Sequence, residues 1–524
     1  MLALLSLPLT ALAIDNGLGL RPPLGWRSYN AFGGSPTQAV MEEMMVAMVD
    51  KSRSVDGVPT SLLELGYAHV GLDGGWNRCF AENGTFHWAS DGRPVWNDAF
   101  PDPKGMVDKA KALGLSPGWY LNNCGCAENN ITDAAEVEQV MQGSVRMLAE
   151  QGWEGVKFDS CSQYHNMTRW AELINATGKP VLIEQCHQGA YTPGMVQWQG
   201  YPRSKDRSDQ GSGYSHFLGM FFGMDSATPL PNATFGSCKA RCDALGADGC
   251  GGFTFEGTDP APAPESAIGT CYTVARGAKW NRMDMSNIGG GCDIAGQSAG
   301  PQTCPFNFYR VSGDISASWG SMLANLAYTL PFLGEGGKHL PYPQDAVVRS
   351  RPGGFAYPDM LECGNLANAT EDRSHFGAWA IMSSPLILSF NLSDATRADR
   401  VWPIISNRAV LAVNQRWAGS PGHRLTLSGA GWQAWAKPMG GQSYAVFLMN
   451  GVGDATRTSL PLQNVSAAFT PQAGAVCAKD LYTGKALAPL GQDLTVTLPA
   501  HDSVMYCVWP SDAQGSCSNA NTCP

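Results

Sequence analysis

Gly155-Val156-Lys157-Phe158-Asp159-Ser160-Cys161 is the stretch from which the fold is most readily deduced. As a β-strand it alternates its side chains between two faces, so Val156 and Phe158 share an apolar face while Lys157 and Asp159 share the other. Taken alone, this pattern fits an amphipathic strand whose charges are solvated. It also fits a barrel strand whose inner face ends at an active site, and the rest of the chain favours this second interpretation.

Short strand-like runs alternate with helical stretches on both sides of this strand, in eight strand–helix units. The predicted strands are Leu24–Tyr29, Ala68–Asp73, Gly118–Asn122, Val156–Asp159, Pro180–Glu184, Phe308–Val311, Phe355–Glu362 and Pro385–Phe390. Such alternation requires parallel strands, because each crossover must pass over a helix. Eight units predict an α/β fold, a (β/α)₈ TIM barrel, whose chemistry lies where the strands end.

Polar residues do stand at the predicted strand ends, namely Asp73, Asn122, Asp159, Glu184, Asp314 and Asp359. Asp159 ends strand four and Asp314 follows strand six, so two inward carboxylates can lean together across the barrel mouth. Carboxyl groups about 5–5.5 Å apart are the arrangement of a retaining glycosidase. Lys157 and Arg310 each share a face with one aspartate and would help to keep a nucleophile ionised. The alternative is a pair of structural salt bridges.

Composition and charge limit the classes of partner. The chain has 524 residues and a net charge of −10, with no run of Lys and Arg, which argues against nucleic acid. Residues 1–13 are apolar and end in Ala-Leu-Ala, as a cleaved signal peptide does. A buried N-terminal strand is the alternative. No later segment is apolar enough to predict a membrane span.

Cysteines and glycosylation sequons indicate the secretory pathway. The 16 cysteines predict disulfides, and the Cys124/Cys126 pair lacks a second pair at zinc-finger spacing. The Asn-x-Ser/Thr sequons are Asn83, Asn130, Asn166, Asn175, Asn232, Asn368, Asn391 and Asn464. We therefore expect a glycoprotein that is secreted or lysosomal/vacuolar.

The predicted domains follow changes in pattern along the chain. The catalytic barrel takes residues 14–229 and 305–418, and is interrupted by a cysteine-rich insert at 230–304 whose spacing weakly resembles a PAN/apple module. The insert is either a glycan- or protein-binding accessory domain or a stapled surface segment without a ligand. Short alternating runs over 419–511 predict an antiparallel β-sandwich, with Cys477 and Cys507 as a candidate bridge, before a tail at 512–524.

Four motifs, in order, resemble glycoside hydrolase family 27, which contains α-galactosidases (melibiases) and α-N-acetylgalactosaminidases. They are Pro22-Pro23-Leu24-Gly25-Trp26, Lys157-Phe158-Asp159-Ser160-Cys161, Arg310-Val311-Ser312-Gly313-Asp314-Ile315 and Pro352-Gly353-Gly354-Phe355-Ala356-Tyr357-Pro358-Asp359-Met360-Leu361-Glu362. The resemblance runs from about residue 18 to 417 outside the insert and continues into a C-terminal β-sandwich.

This resemblance implies retaining hydrolysis of α-galactosides without a metal or organic cofactor, with Asp159 as nucleophile and Asp314 as acid/base. It places six further residues around the galactose pocket: Trp26, Asp73, Tyr120, Lys157, Arg310 and Asp359. For Trp26 and Tyr120 the alternative role is core packing. For Asp359 it is orientation of Arg310 without contact to the sugar.

The sequence also departs from the family pattern. The usual Asp-Asp-Cys-Trp is Asp73-Gly74-Gly75-Trp76 here, so the second aspartate, which helps to recognise the 4- and 6-hydroxyls, is absent. His187 stands where an acid often binds the 2-hydroxyl, and a structural role is the alternative. Other sugars of the family therefore stay open as substrates: N-acetylgalactosamine, β-L-arabinopyranose and isomalto-linked glucose. A carbohydrate-binding protein without turnover is the alternative of another class.

The family pattern implies two further disulfides, Cys124 or Cys126 with Cys161, and Cys186 with Cys304. The second would fasten the end of the insert to the barrel. The expected partner is an α-galactoside-type carbohydrate. A homodimer, and a glycan or protein bound by the insert, are further partners left open.

Overall fold

A computed structural model describes the barrel and the C-terminal domain almost continuously and the insert in parts. The described residues are 16–77, 88–121, 133–159, 167–186, 195–200, 214–218, 220–222, 228–249, 252–256, 266, 268–274, 280–282, 305–333, 350–425, 431–470, 474–512, 514–517 and 523–524.

The first part of the barrel comprises β1 (Leu24–Arg27), α1 (Tyr29–Phe32), α2 (Gln38–Val49), β2 (Ser54–Val55), β3 (Val58–Pro59), β4 (His69–Gly71), α3 (Pro103–Ala112), β5 (Ser116–Leu121), α4 (Ala134–Gln151), β6 (Gly155–Phe158), α5 (Met167–Ala176) and β7 (Leu182–Gln185). Local sequence sets the helix ends. The carboxylate of Asp133 accepts the first free N–H groups of α4, and Gly152 ends that helix with a left-handed backbone.

The insert forms β8 (Met195–Gly200), β9 (Tyr214–Leu218), β10 (Met220–Phe222), β11 (Thr228–Thr234), α6 (Phe235–Gly249), β12 (Gly252–Glu256), β13 (Ile268–Val274) and β14 (Trp280–Arg282). The barrel then continues with β15 (Phe308–Arg310), α7 (Trp319–Thr329), β16 (Phe355–Tyr357), α8 (Ala369–Ile381), β17 (Leu386–Leu388), α9 (Ala395–Ile405) and α10 (Arg408–Gln415). The C-terminal domain contains β18 (His423–Arg424), β19 (Trp432–Gly440), β20 (Ser443–Asn450), β21 (Thr456–Pro461), β22 (Val476–Asp480), β23 (Asp493–Leu498) and β24 (Ser503–Pro510).

Eight parallel strands form the predicted barrel, in the order β16-β15-β7-β6-β5-β4-β1-β17. A parallel bridge between Leu361, which follows β16, and Leu388 of β17 joins the two edges of this sheet. The (β/α)₈ prediction is therefore confirmed. Because β6 and β15 are separated by β7 alone, Asp159 and Asp314 follow strands that lie two positions apart, as the sequence predicts.

The strand register separates an inner, polar face of the barrel from an outer, apolar one. Tyr120, Lys157 and Glu184 lie side by side in one row across β5, β6 and β7. Val156 and Phe158 are 3% and 0% exposed and belong to the main hydrophobic core. The alternation predicted for this strand is therefore confirmed, and it directs Lys157 to the inner face.

The insert is built on an antiparallel sheet with strand order β11-β13-β12-β8-β9. A disulfide between Cys238 of α6 and Cys271 of β13 fixes the helix to the sheet. Since β8 and β9 pair into this sheet, the departure from the barrel begins before the predicted start of the insert at residue 230. Strands β12 and β13 contact α7, the barrel helix that follows Asp314.

The C-terminal domain packs a five-stranded antiparallel sheet, β18-β19-β20-β24-β22, with the hairpin-like pair β21-β23 around its own apolar core. The predicted Cys477–Cys507 bridge is wrong. Cys477 lies opposite Trp509, two residues from Cys507, so the two cysteines are only diagonal neighbours. The tail returns to this face instead, and forms Cys477–Cys517 and Cys507–Cys523, with Cα atoms 5.5 and 5.8 Å apart.

No helix in the described part of the chain is both long enough and apolar enough to cross a membrane.

Candidate active site

Asp159 lies immediately after β6, half-buried at the carboxyl end of the barrel. Its backbone N–H donates to the carbonyl of Leu121 at 3.0 Å, which continues the β5–β6 ladder by one residue. The hydroxyl of Tyr120 donates a short hydrogen bond to Asp159 Oδ2. Burial, with the charge of Asp159 as the next cause, raises the pKa of Tyr120, so this phenol stays protonated and keeps donating.

Asp73 is the centre of a buried ion-pair network at the end of β4. Lys157 Nζ donates to Asp73 Oδ2 at 2.9 Å, and Arg27 Nη1 lies 3.6 Å from the same oxygen. Burial alone would raise the pKa of Asp73, but the charges of Lys157 and Arg27 outweigh it, and the pKa is lowered. Burial likewise opposes the charge of Lys157, and the carboxylate of Asp73 reverses that effect and raises its pKa. Both groups are therefore ionised at neutral pH.

Arg27 is a site residue that the sequence analysis did not identify. Its guanidinium reaches inside the barrel to Glu184 in a short ion pair, while both residues are buried. Gly71 makes room for it, because a Cβ there would lie 3.1 Å from Arg27 Nε. The available signal was strand alternation, which places Arg27 on the face opposite to Trp26.

Trp26 does not lie on the inner face of the barrel. It is 1% exposed, its indole N–H donates to the carbonyl of Phe390 at 2.8 Å, and its ring meets Phe32 edge-on. This packing favours, for Trp26, the predicted alternative role in the core over contact with a sugar. The aromatic residue exposed after β1 is Tyr29, which is 43% exposed and follows Ser28, whose hydroxyl accepts the backbone N–H of Asp73.

Arg310 lies on the other side of the barrel mouth and contacts the carboxylates of Asp314 and Asp359. Its Nη2 lies 2.5 Å from Asp314 Oδ1, and its Nη1 lies 3.5 Å from Asp359 Oδ2. The guanidinium is buried, whereas the Asp314 side chain is 74% exposed. Burial opposes the charge of Arg310, but the carboxylate of Asp359 outweighs this effect and its pKa is raised. Arg310 is thus a permanent cation beside an accessible carboxylate.

Asp359 acts on the backbone as well as on Arg310. Its Oδ2 accepts the N–H of Ile315 at 2.8 Å, directly after Asp314, and its Oδ1 accepts the N–H of Met360 at 2.8 Å. It has a φ of 87°, unusual for a residue with a side chain, and Trp379 donates to its carbonyl at 2.8 Å. Asp359 is only 2% exposed, which favours the predicted alternative that it orients Arg310 and the Asp314 segment.

Several predicted residues cannot be placed. His187, Cys124, Cys126, Cys161 and Cys304 lie outside the described residues. Cys186, which follows β7, is a buried free thiol. The predicted Cys186–Cys304 bridge is therefore absent, because the thiol lies inside the barrel end, where burial raises its pKa and where it interacts with the charges of Arg310 and Lys157.

Gly74, the departure noted in the sequence, lies beside Tyr120. A Cβ at this position would be 3.6 Å from Tyr120 Cε1, an ordinary contact, so a Cβ atom fits there. A lack of space at the Cβ position therefore does not explain the absence of the second carboxylate.

The arrangement combines a half-buried carboxylate that accepts a phenolic hydrogen bond with an exposed carboxylate on a fixed cation, at the ends of strands two positions apart. A pair of this kind can supply a nucleophile and a proton donor to a bond held between them. Asp73 and Lys157, ionised beside them, offer a hydrogen-bond acceptor and donors for hydroxyl groups.

Comparisons with known proteins agree with this architecture. A family profile described as "Alpha galactosidase A" matches residues 298–416, and one described as "Alpha galactosidase C-terminal beta sandwich domain" matches residues 429–508. An α-galactosidase from Oryza sativa subsp. japonica is 24% identical over 95% of this chain and 87% of its own length. One from Coffea arabica is 25% identical over 95% of this chain and 96% of its own.

Solved structures share the fold at lower identity. The α-galactosidase from Saccharomyces cerevisiae superposes with a TM-score of 0.61 at 17% identity, over 95% of this chain and 99% of its own. α-Galactosidase I from Mortierella vinacea gives 0.59 at 18% identity, over 94% and 98%. A β-L-arabinopyranosidase from Geobacillus stearothermophilus gives 0.60 at 14% identity, over 96% and 99%.

Proposed function

We infer that this chain is a glycoside hydrolase of the α-galactosidase family, family 27, and that it releases terminal α-linked galactose from glycans, oligosaccharides or glycolipids with retention of configuration. The observation that carries the proposal is the pair of carboxylates at the ends of β6 and β15, each with its own fixed hydrogen-bond partner. The family profiles and the curated relatives support the same reaction class.

The proposed mechanism is a double displacement. Asp159 attacks the anomeric carbon while Asp314, in its acid form, gives a proton to the departing glycosidic oxygen. The resulting galactosyl ester on Asp159 is then hydrolysed by a water molecule that Asp314, now ionised, deprotonates. The hydrogen bond from Tyr120 lies on the nucleophile, and the exposure of Asp314 allows exchange of its proton with solvent.

The sugar itself is held, in this proposal, by the inner-face network. Asp73 accepts and Lys157 donates hydrogen bonds to hydroxyl groups, and Arg310 reaches the 2-hydroxyl. Tyr29 and Tyr120 pack against the apolar face of the ring. Trp26 is not included because it is buried on the outer face of the barrel. His187 remains a candidate for the 2-hydroxyl.

The test is an assay of the wild type, Asp159→Ala and Asp314→Ala on aryl α-galactoside, α-N-acetylgalactosaminide, α-glucoside and β-L-arabinopyranoside. We expect turnover of the α-galactoside that Asp159→Ala abolishes. Because an aryl leaving group needs little protonation, Asp314→Ala should slow the second step more than the first, so the galactosyl-enzyme accumulates. Wild-type sugar binding without any turnover would favour the carbohydrate-binding alternative, and turnover unchanged in Asp159→Ala would refute the nucleophile.

One specific observation keeps a second sugar in view. With glycine at position 74 the second recognition carboxylate is absent, although a Cβ atom fits at this position. If the enzyme prefers another sugar for this reason, Gly74→Asp should increase kcat/KM for the α-galactoside relative to the other three substrates. The same ratio in both proteins would show that Gly74 does not set the specificity.

For the cellular setting, we propose passage through the secretory pathway to the exterior or to a lysosome or vacuole. The predicted signal peptide and sequons support this, and of the described sequon residues Asn175, Asn232, Asn368 and Asn464 are exposed while Asn391 is partly buried. The insert remains a candidate for binding glycan or protein, and a homodimer remains a candidate assembly.

A further inference from the structure

Glu362 is a buried carboxylate at the rim of the barrel that the proposed chemistry does not use. It is 2% exposed, and no Lys, Arg or His nitrogen of the described residues lies within ion-pair distance of it. Its two oxygens instead accept from two neutral amides. Asn30 Nδ2 donates a short bond to Oε1, and Asn365 Nδ2 donates to Oε2 at 2.7 Å. A buried acid without a counter-ion is costly to keep, so its presence calls for a function.

The contacts of Glu362 tie together three segments of the rim. Asn30 belongs to α1, the short turn that begins with the exposed Tyr29. The Asn30 backbone N–H also donates to Ser389 Oγ at 3.0 Å, and Ser389 Oγ donates to the carbonyl of Arg27 at 2.7 Å. Asn365 Nδ2 reaches the Ser389 carbonyl at 3.1 Å. Glu362 therefore links the ends of β1 and β17 to the loop that follows β16.

We propose that Glu362 is a positioning residue for the sugar pocket, because its carboxylate fixes Asn30 and, through it, the turn that presents Tyr29 at the mouth. The inference rests on the proposed function, since it requires a sugar that Tyr29 contacts. An ionised Glu362 accepts from both amides. Once protonated, one of its oxygens carries a hydrogen that faces an amide donor, and one of the two bonds is lost.

The surroundings of Glu362 place its protonation near neutral pH. Burial, with the nearby charge of Asp359, raises the pKa of Glu362 to about 7, against the opposing effect of the hydrogen bonds from Asn365 and Asn30. Asp372, a second buried acid near this rim, also has its pKa raised by burial, to about 6. His375, whose Nε2 accepts the Glu362 backbone N–H at 3.1 Å, has its pKa lowered to about 3 by burial. Arg397 Nη1 donates to Asn365 Oδ1 at 2.7 Å. We therefore expect the pocket to bind the sugar more strongly as the pH rises through about 7.

Glu362→Gln tests this directly, because glutamine resembles the protonated acid at every pH. We would measure KM and kcat for an aryl α-galactoside, from pH 5 to pH 8, in the full-length wild type and variant. The expected KM of the variant is about 3- to 10-fold higher than that of the wild type at pH 8, the effect of one lost hydrogen bond. At pH 5 the two KM values should converge, and kcat should stay within about twofold throughout, as expected for a group outside the reacting atoms.

Asp372→Asn is the matched control. Asp372 is also a fully buried acid near this rim, but its oxygens face the Gly364 N–H at 2.9 Å and Arg400 Nε at 2.9 Å, and not α1. Its pKa is raised to about 6, so it also titrates in this range, but because its oxygens do not face α1 its KM ratio to wild type should not vary with pH. A KM ratio for Glu362→Gln that is flat with pH, or a fall in kcat at unchanged KM, would overturn the positioning role.

If Glu362→Gln does not fold, Asn30→Ala serves in its place, and it should raise KM at pH 8 by a similar factor. A wild-type KM in Asn30→Ala at pH 8 would also overturn the proposal. If the wild type turned over none of the tested sugars, the proposed function would be refuted, and with it the role of Glu362. Normal wild-type turnover with a flat KM ratio would refute the positioning role alone.

Discussion

The contact between Tyr120 and Asp159 is the single-residue feature on which the proposed chemistry depends most. Removal of the hydroxyl in Tyr120→Phe leaves the ring packing but removes a hydrogen bond to a charged group, which is worth about 1.5–3 kcal/mol. We expect kcat/KM for the α-galactoside to fall by about 10- to 100-fold, and the free energy of unfolding to fall by at most about 3 kcal/mol. Steady-state kinetics and a urea denaturation curve would check both parts.

Trp26→Phe is the control for that experiment, since it alters an aromatic residue that the structure places in the core. Loss of the indole and of its bond to the Phe390 carbonyl should lower the free energy of unfolding by about 1–3 kcal/mol. kcat/KM should stay within about threefold of the wild type. A large loss of activity in a stable Trp26→Phe enzyme would return Trp26 to the sugar pocket.

At the scale of strands, the ion pair between Arg27 of β1 and Glu184 of β7 spans the interior of the barrel. Arg27→Met leaves Glu184 buried without its partner, which should cost about 3–5 kcal/mol of unfolding free energy. Arg27→Met combined with Glu184→Met removes both charges. We expect the double variant to lose clearly less than the sum of the two single variants, as measured by denaturant unfolding. Additive losses would show that the two charges are not coupled.

The strands also show how far the sequence alone could predict the site. Asp159, Asp314, Asp73 and Lys157 follow from strand alternation and strand order, because parallel strands bring their carboxyl ends to one rim. The motif places Trp26 at the sugar because a motif identifies a residue type and not the face that it occupies, whereas strand alternation directs Arg27, beside it, inward.

Contacts between residues far apart in the sequence were harder to predict. The Cys477–Cys517 and Cys507–Cys523 bridges depend on the course of a polar tail, and no local pattern fixes that course. Glu362 lies within one of the family motifs, but it is bonded to Asn30, which is 332 residues away in the sequence. Contacts of this kind are set by closure of the barrel and not by neighbours in sequence.

For the whole molecule, buried histidine predicts acid sensitivity. His375 is fully buried and its pKa is lowered to about 3, against an ordinary value near 6.5 in the unfolded chain. Between these values the unfolded state binds the extra proton and the folded state does not, so stability falls as the pH falls. The expected slope from His375 is about 1.4 kcal/mol per pH unit below pH 6.5.

His375→Gln, compared with the wild type by urea denaturation at each pH, isolates this contribution. Glu362, with its raised pKa, has the opposite effect, since its stabilisation is present at low pH and lost as the pH rises through about 7. The difference between the two proteins cancels that effect. If the free energies of unfolding of the two proteins changed in parallel between pH 6.5 and pH 4, His375 would not be the source of the acid sensitivity.

His501 takes part in the contact between the barrel and the C-terminal domain. Its ring stacks on Trp319 of α7 at 4.5 Å, its Nδ1 lies 2.8 Å from Glu371 Oε1, and its carbonyl accepts the Ser374 hydroxyl at 2.7 Å. Its backbone has a φ of 58°, which asparagine tolerates, so His501→Asn removes the ring without added backbone strain.

A double-mutant cycle of His501→Asn with Trp319→Phe, read by thermal or urea unfolding, should give a coupling energy of about 0.5–1.5 kcal/mol. Each single variant also loses its other contacts. The cycle subtracts those losses, so the coupling energy reports the stacked pair itself. A coupling energy indistinguishable from zero would mean that the two rings adjoin without holding the domains together.

The most direct test of the account as a whole is to identify the residue that becomes covalently attached to the sugar. A fluorinated α-galactosyl substrate that forms the glycosyl-enzyme faster than it is hydrolysed would be incubated with the enzyme, which is then digested and analysed by peptide mass spectrometry. We predict one sugar per chain, attached to Asp159, and none on Asp159→Ala. A sugar attached to another carboxylate, or turnover of the α-galactoside with inversion and no attached sugar, would contradict the proposed mechanism.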